Sequence, residues 1–107
     1  MRAWVFLLLG GLFEVAWVLG LKHFGGLEKP AAAALTLAGL IVSLAFLALG
    51  LRTLPAGTAY AVWTGIGSAG TALAGLWFFG ESRDPTRLFC LVLIITGIIG
   101  LKLQDPS

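Results

Sequence analysis

The stretch AWVFLLLGGLFEVAWVLGL, residues 3–21, is an apolar run that carries a single carboxylate, Glu14. A membrane-spanning helix needs roughly 20 predominantly apolar residues, so this run is long enough to cross a bilayer. The apolar core of a cleaved signal peptide has only about 7–15 residues. The stretch therefore predicts a retained membrane helix with an acid near its centre.

The rest of the chain has the same apolar character. Of its 107 residues, 59% are hydrophobic and 11% are charged, whereas soluble domains have about 25% charged residues. Four apolar blocks lie between the charged residues, the fourth being the shortest, and they predict an all-α membrane protein with one transmembrane domain, residues 1–107. The predicted transmembrane helices are residues 3–21, 31–51, 56–79 and 86–103.

The basic residues divide almost equally between the two sides of such a bundle. One side would hold Arg2, Arg52 and Lys102, and the other Lys22, Lys29, Arg83 and Arg87. Cytoplasmic loops normally carry an excess of Lys and Arg, so either the orientation is weakly specified or the chain inserts both ways. Four short helices enclose too little volume to shield a polar pathway from lipid. We therefore expect an oligomer, most simply a dimer.

Glu14 is the residue on which the functional interpretation depends. An ionised acid near the bilayer centre costs about 2.5–3.5 kcal/mol, and the basic residues all lie at the ends of the apolar blocks. The charge must therefore be removed by a proton or balanced by a cation from outside. If both compete for one site that faces alternate sides, exchange transport results. The structural alternative is a neutral Glu14 that is hydrogen-bonded between helices.

Two neighbours of Glu14 are candidates for lining a cation site. Trp17 and Gly11 lie three residues away in either direction, a spacing that places side chains on one helical face. Trp17 is too deep for an interfacial belt and could present its ring to a cation, although ordinary packing is the alternative. Gly11 either leaves space beside the acid or admits a neighbouring helix.

Helices 2 and 3 supply three further candidates. Tyr60 and Trp63, three residues apart, form an aromatic stripe with one hydroxyl and one indole N–H, both of which require partners. Ser43 lies near the middle of helix 2, where it either bonds its own backbone or takes a polar role in the site. The many glycines of helix 3 indicate close packing, with or without a functional bend at residues 65–67.

The sequence gives almost no support to an enzyme. It contains no His, Cys or acid cluster at metal-ligand spacing, no phosphate-binding loop and no nucleophile–base pair. We therefore expect no cofactor, no metal and no nucleic-acid partner. The one cysteine, Cys90, lies in the fourth apolar block and is expected to be a buried thiol that behaves as a small apolar residue.

Three motifs, taken together, resemble the small multidrug resistance family over essentially the whole chain. They are GLFEVAW at 11–17, LPAGTAYAVWTGIG at 54–67 and TGIIGLK at 96–102. Within that family, the tryptophan that follows the glutamate and the Trp-Thr-Gly-Ile-Gly sequence at 63–67 resemble the guanidinium exporter subtype. The multidrug subtype, which exports quaternary ammonium cations, typically lacks that tryptophan.

The resemblance implies a proton-coupled antiporter that exports guanidinium across the cytoplasmic membrane as an antiparallel homodimer with dual topology. Glu14 would bind both protons and substrate. The residues that the resemblance implies as lining the site are Gly11, Trp17, Ser43, Tyr60 and Trp63. Two alternatives stay open: an exporter of quaternary ammonium cations, and a non-transporting membrane subunit in which Glu14 only hydrogen-bonds a partner.

Overall fold

The computed structural model describes residues 2–25 and 27–105, and the regular structure in them is helical throughout. The helices are α1 (Arg2–His23), α2 (Pro30–Leu51), α3 (Ala56–Phe78) and α4 (Pro85–Gln104). Each bound lies within two residues of the one predicted from the sequence. The agreement follows from the charged and turn-forming residues that separate the apolar runs.

Local sequence explains where several helices begin and end. Pro30 and Pro85 occupy first turns, where a missing N–H costs nothing. Asp84 caps α4, because its Oδ1 accepts a 2.8 Å hydrogen bond from the backbone N–H of Thr86. After α1 the chain turns at Gly25, whose φ of 94° is readily adopted only by glycine.

Three of the helices in the described part, α1, α2 and α4, are long and apolar enough to cross a membrane. The sequence singled out the fourth block as the shortest, yet α4 meets this criterion once it extends to Gln104. The exception is α3, which has 23 residues but carries glycine, serine and threonine at many positions. Its length suits a span, while its composition suits a helix with a polar face.

The first helix, α1, packs against both α2 and α3, and glycines make the approach close. A Cβ added at Gly50 of α2 would lie 2.8 Å from Leu7, and one added at Gly70 of α3 would lie 2.7 Å from Val15. Small residues allow helix backbones to approach in this way. The buried core residues at one end of this group are Ala3, Trp4, Leu7, Leu54, Ala59, Val62 and Trp63.

At the opposite end of the bundle, the end of α1 meets the residue that follows α3. The rings of His23 and Phe79 stack with centroids 3.8 Å apart and an interplanar angle of 6°. Phe24 contacts the same Phe79 ring edge-on at 6.0 Å. These contacts hold the ends of α1 and α3 side by side, so that the two helices frame one cleft.

The fourth helix, α4, packs against α3, where Ile98 fills the space at Gly65. Its other faces are open: Phe89 is 62% exposed and Leu103 81%. Cys90 is exposed as well, so the expectation of a buried thiol is wrong for the single chain. The buried residue of α4 is Leu91, and Cys90, one position earlier, points about 100° away from it around the helix.

Candidate functional site

The carboxylate of Glu14 lies against the backbone of α3. A Cβ added at Gly67 would collide with Oε2 of Glu14 and lie 2.9 Å from its Cδ. No residue other than glycine could therefore occupy position 67 without moving the carboxylate. The close approach of α1 and α3 at Gly67 fixes where the acid sits, about halfway along α1.

One oxygen of this carboxylate is unsatisfied. Oε2 of Glu14 is buried, and within residues 2–25 and 27–105 no donor lies at hydrogen-bond distance from it. Buried polar groups in proteins are nearly always hydrogen-bonded, so each exception requires an explanation. A water molecule, a bound cation or a proton would each supply the missing partner.

Glu14 lines a cleft of about 360 Å³ between α1, α3 and the segment that leads into α4. A water molecule accounts for about 30 Å³ of liquid, so the cleft has room for a small cation and several waters. One wall is polar. The lining residues are Glu14, Val18, Gly67, Ser68, Thr71, Ala72, Glu81 and Arg87.

Ser43 and Trp63 form a hydrogen-bonded chain that reaches α1 at Gly10, and neither residue lines the cleft. The Ser43 hydroxyl donates to the carbonyl oxygen of Gly10 at 2.6 Å and accepts from Nε1 of Trp63 at 3.0 Å. Ser43 thus bonds across to α1 and not to its own helix. In an α-helix, the Gly10 carbonyl also accepts from the N–H of Glu14, so this chain joins three helices at the turn that carries the acid.

The remaining predicted site residues also lie outside the Glu14 cleft in the single chain. Trp17 packs against Gly39 of α2. A Cβ added at Gly39 would lie 3.2 Å from the Cβ of Trp17. It lines a separate cavity of about 290 Å³ between α1 and α2. Its Nε1 is buried and has no acceptor among the described residues.

Tyr60 and Gly11 also lie outside the cleft. Tyr60 is 58% exposed, with its ring 5.7 Å from that of Trp63. Gly11 packs on α3, where a Cβ would collide with the side chain of Ile66. Of the two roles that the sequence left open for Gly11, the structure shows the second, the admission of a neighbouring helix.

Comparison with known proteins adds the family. Residues 2–94 match the family described as Small Multidrug Resistance protein. The chain belongs to the small multidrug resistance family. It is 52% identical to the guanidinium exporter of Citrobacter freundii and 50% identical to that of Escherichia coli O6:H1. It is 48% identical to the guanidinium exporter of Salmonella typhimurium strain LT2. Each match covers 95% of this chain and 97% of the relative.

Membership of the small multidrug resistance family, with three helices able to cross a bilayer, makes the chain a membrane protein. Its relatives are named as exporters, which are transport proteins. The resemblance drawn from the three sequence motifs is thereby confirmed, both for the family and for the guanidinium exporter group.

Sequence reasoning missed several residues of the cleft in this small multidrug resistance protein. Ser68 and Thr71 line the cleft and lie three residues apart on α3, a spacing that indicates one helical face. That polar stripe was the available signal. Glu81 and Arg87, by contrast, reach the cleft only because of how the chain turns after α3.

Proposed function

We propose that this chain is a proton-coupled antiporter that exports guanidinium across the cytoplasmic membrane. The observation that carries the proposal is Oε2 of Glu14, a buried carboxylate oxygen without a donor among the described residues, at a cleft large enough for a small cation. The substrate is supported by relatives named guanidinium exporters, about half identical over nearly their full length.

Guanidinium suits a carboxylate in a nonpolar setting. It is planar, remains charged near neutral pH, and its forked N–H groups form charge-assisted bonds with carboxylate oxygens. A proton on Glu14 would satisfy the same oxygen and remove the charge that attracts the cation. One carboxylate that holds either ligand but not both, and that faces each side in turn, couples export of one to entry of the other.

In the proposed arrangement all four helices cross the cytoplasmic membrane. The length of α3, 23 residues, is sufficient for a span, and its polar stripe would face the cleft. Ionisable and polar groups inside a membrane normally face the interior of the bundle or a water-filled cavity. The lower hydropathy of α3 is then a consequence of its role in lining the transport pathway.

We further propose an antiparallel homodimer with dual topology. The open apolar faces of α4, with Phe89 62% exposed, and the nearly equal division of basic residues support it. The hydroxyl of Tyr60, whose side chain is 58% exposed, would find a partner at the dimer interface. Gly11, Trp17, Ser43, Tyr60 and Trp63 would then surround the two Glu14 carboxylates, one from each subunit.

Transport by reconstituted protein tests the proposal. Proteoliposomes with an outward proton gradient should accumulate labelled guanidinium, and E14Q should abolish this uptake, because an amide neither ionises nor exchanges a proton. The matched control is E28Q, which removes an acid from the exposed connection between α1 and α2. Uptake of a bulky quaternary ammonium cation in preference to guanidinium would favour the multidrug alternative. No uptake of either would contradict the transporter assignment.

A further inference from the structure

The end of α3 places a second carboxylate on the cleft. Gly80 has a φ of 66°, which turns the chain back after the helix. The N–H of Glu81 then donates to the carbonyl oxygen of Gly75 at 3.1 Å. Its carboxylate lies over Gly75, at a position where a Cβ would collide with it. Two glycines thus hold the side chain of Glu81 in this position.

This second carboxylate already binds a guanidinium group, that of Arg87. Nη2 of Arg87 lies 2.7 Å from Oε1 of Glu81, and Nη1 donates to the carbonyl oxygen of Ser82 at 2.7 Å. The side chains of Arg87 and Glu81 are 29% and 37% exposed, respectively. The Glu81 carboxylate and the Ser82 carbonyl oxygen are therefore spaced to accept two N–H groups of one guanidinium.

The two carboxylates belong to the same cleft, which Glu14, Glu81 and Arg87 all line. Glu14 lies on Gly67 and Glu81 on Gly75. Eight helical residues span about 12 Å along the axis at 1.5 Å each. Glu81 comes after the end of α3, so it stands at the mouth of the cleft, with Glu14 about two helical turns further in.

We propose that Glu81 is an outer binding site for the transported guanidinium-type cation, and that the side chain of Arg87 occupies this site when the cation is absent. The inference rests on the proposed export of guanidinium. An arriving cation would take the place of the Arg87 guanidinium on Glu81 and the Ser82 carbonyl, while Arg87 moves into water. Partly exposed ion pairs add little net stability, so replacing one guanidinium by another costs little.

Two substitutions separate a binding site from a purely structural ion pair. E81Q and R87A both break the same salt bridge, so a structural role predicts that they change transport in the same direction. A binding role predicts opposite changes, because E81Q removes the site whereas R87A removes the competitor. E81Q should raise the KM for guanidinium about two- to fivefold, and R87A should lower it by a similar factor, the range expected for partly exposed charge pairs.

Two variants in the connection between α3 and α4 serve as controls for the effect of a change in net charge on the KM. R83A removes one positive charge at an exposed position, and D84N removes one negative charge while retaining a residue that caps helices well. Neither residue lines the cleft. If R83A and D84N shift the KM as strongly as R87A and E81Q, the effect is long-range electrostatics and the outer site is excluded.

Calorimetric titration of purified E14Q protein with guanidinium chloride tests the outer site apart from transport. Weak binding should persist in E14Q, strengthen with R87A added and disappear with E81Q added. Binding unchanged by E81Q would overturn the outer site while leaving the antiport proposal intact. Wild-type protein that fails to exchange guanidinium for protons would instead overturn the proposed function. If E81Q does not fold, R87A and R87K are compared, each in the E14Q protein. R87A should tighten guanidinium binding, whereas R87K, which keeps a cation beside Glu81, should not. Equal binding by these two proteins would also exclude the outer site.

Discussion

The carboxylate of Glu14 lies against the backbone of Gly67, at a point where a methyl group would collide with Oε2. This contact joins the acid on α1 to the glycine-rich segment of α3. It also explains why the polar face of α3 and the unsatisfied oxygen of Glu14 meet in one cleft.

Replacing Gly67 with alanine should abolish or strongly reduce guanidinium transport. The added Cβ would lie 2.9 Å from Cδ of Glu14, so the carboxylate or the helices must move. Displacements of about 1 Å at a reacting group can cost about a hundredfold in rate. The control is G57A, since a Cβ at Gly57 meets nothing within 4 Å. Equal transport by G67A and G57A in proteoliposomes would show that the contact is unimportant.

The S43A variant should lower the free energy of unfolding by about 1–3 kcal/mol, the cost of leaving a buried polar group without its partner. Ser43 is fully buried, and its loss leaves Nε1 of Trp63 without an acceptor. Equilibrium unfolding in detergent measures the change. The matched control is S68A, because the exposed Ser68 hydroxyl donates only to the carbonyl of Thr64 in its own helix. A smaller loss in S43A than in S68A would contradict the three-helix chain.

The cap of α4 gives a prediction about the fold alone. D84A should destabilise the protein by about 1 kcal/mol, because the N–H of Thr86 loses its acceptor, while D84N should stay close to wild type. Thermal unfolding in detergent distinguishes the two. If D84A unfolds at the wild-type temperature, the capping bond does not contribute to stability.

Competition at Glu14 predicts how guanidinium binding depends on pH. Protons that occupy the carboxylate reduce the fraction of protein free to bind the cation. A tenfold rise in proton concentration should therefore raise the apparent Kd by up to about tenfold. Titrations of wild-type protein at a series of pH values measure this slope. If the Kd for guanidinium stays constant over the pH range in which the protein exchanges protons, guanidinium and protons occupy separate sites.

Dual topology predicts the labelling of a single engineered cysteine. In a Cys90→Ala background, T53C places a thiol in the exposed connection between α2 and α3. If the chain inserts both ways, about half of the protein should react with a membrane-impermeant maleimide added outside intact cells, and the rest only after permeabilisation. Labelling of all or none of the protein from outside would establish a single orientation.

The helices could be predicted from the sequence because charged residues and prolines delimit each apolar run. Their arrangement could not. Trp17 lies three residues after Glu14, a spacing that leaves about 60° between the two directions around a helix. Since α1 packs between α2 and α3, that angle is enough to direct Glu14 toward Gly67 of α3 and Trp17 toward Gly39 of α2.

Part of the candidate site could be predicted from the sequence, because polar residues stand out in apolar helices. The central acid was evident because it lacks a basic residue at its depth, and Ser43 was one of the few polar groups in α2. The Glu81–Arg87 pair could not be found from spacing. It forms through the reversal at Gly80 and the space above Gly75, and both depend on tertiary structure.

Proton movement driven only by a guanidinium gradient tests the central claim most directly. The proteoliposomes have equal internal and external pH and contain a pH dye, and guanidinium is added outside. The dye reports whether the interior becomes acidic or alkaline as guanidinium enters. For antiport, guanidinium that enters must drive protons out, so the interior of wild-type vesicles should become alkaline and that of E14Q vesicles should not change. An unchanged internal pH in wild-type vesicles that take up guanidinium, or alkalinisation by E14Q as fast as by wild type, would contradict coupling through Glu14.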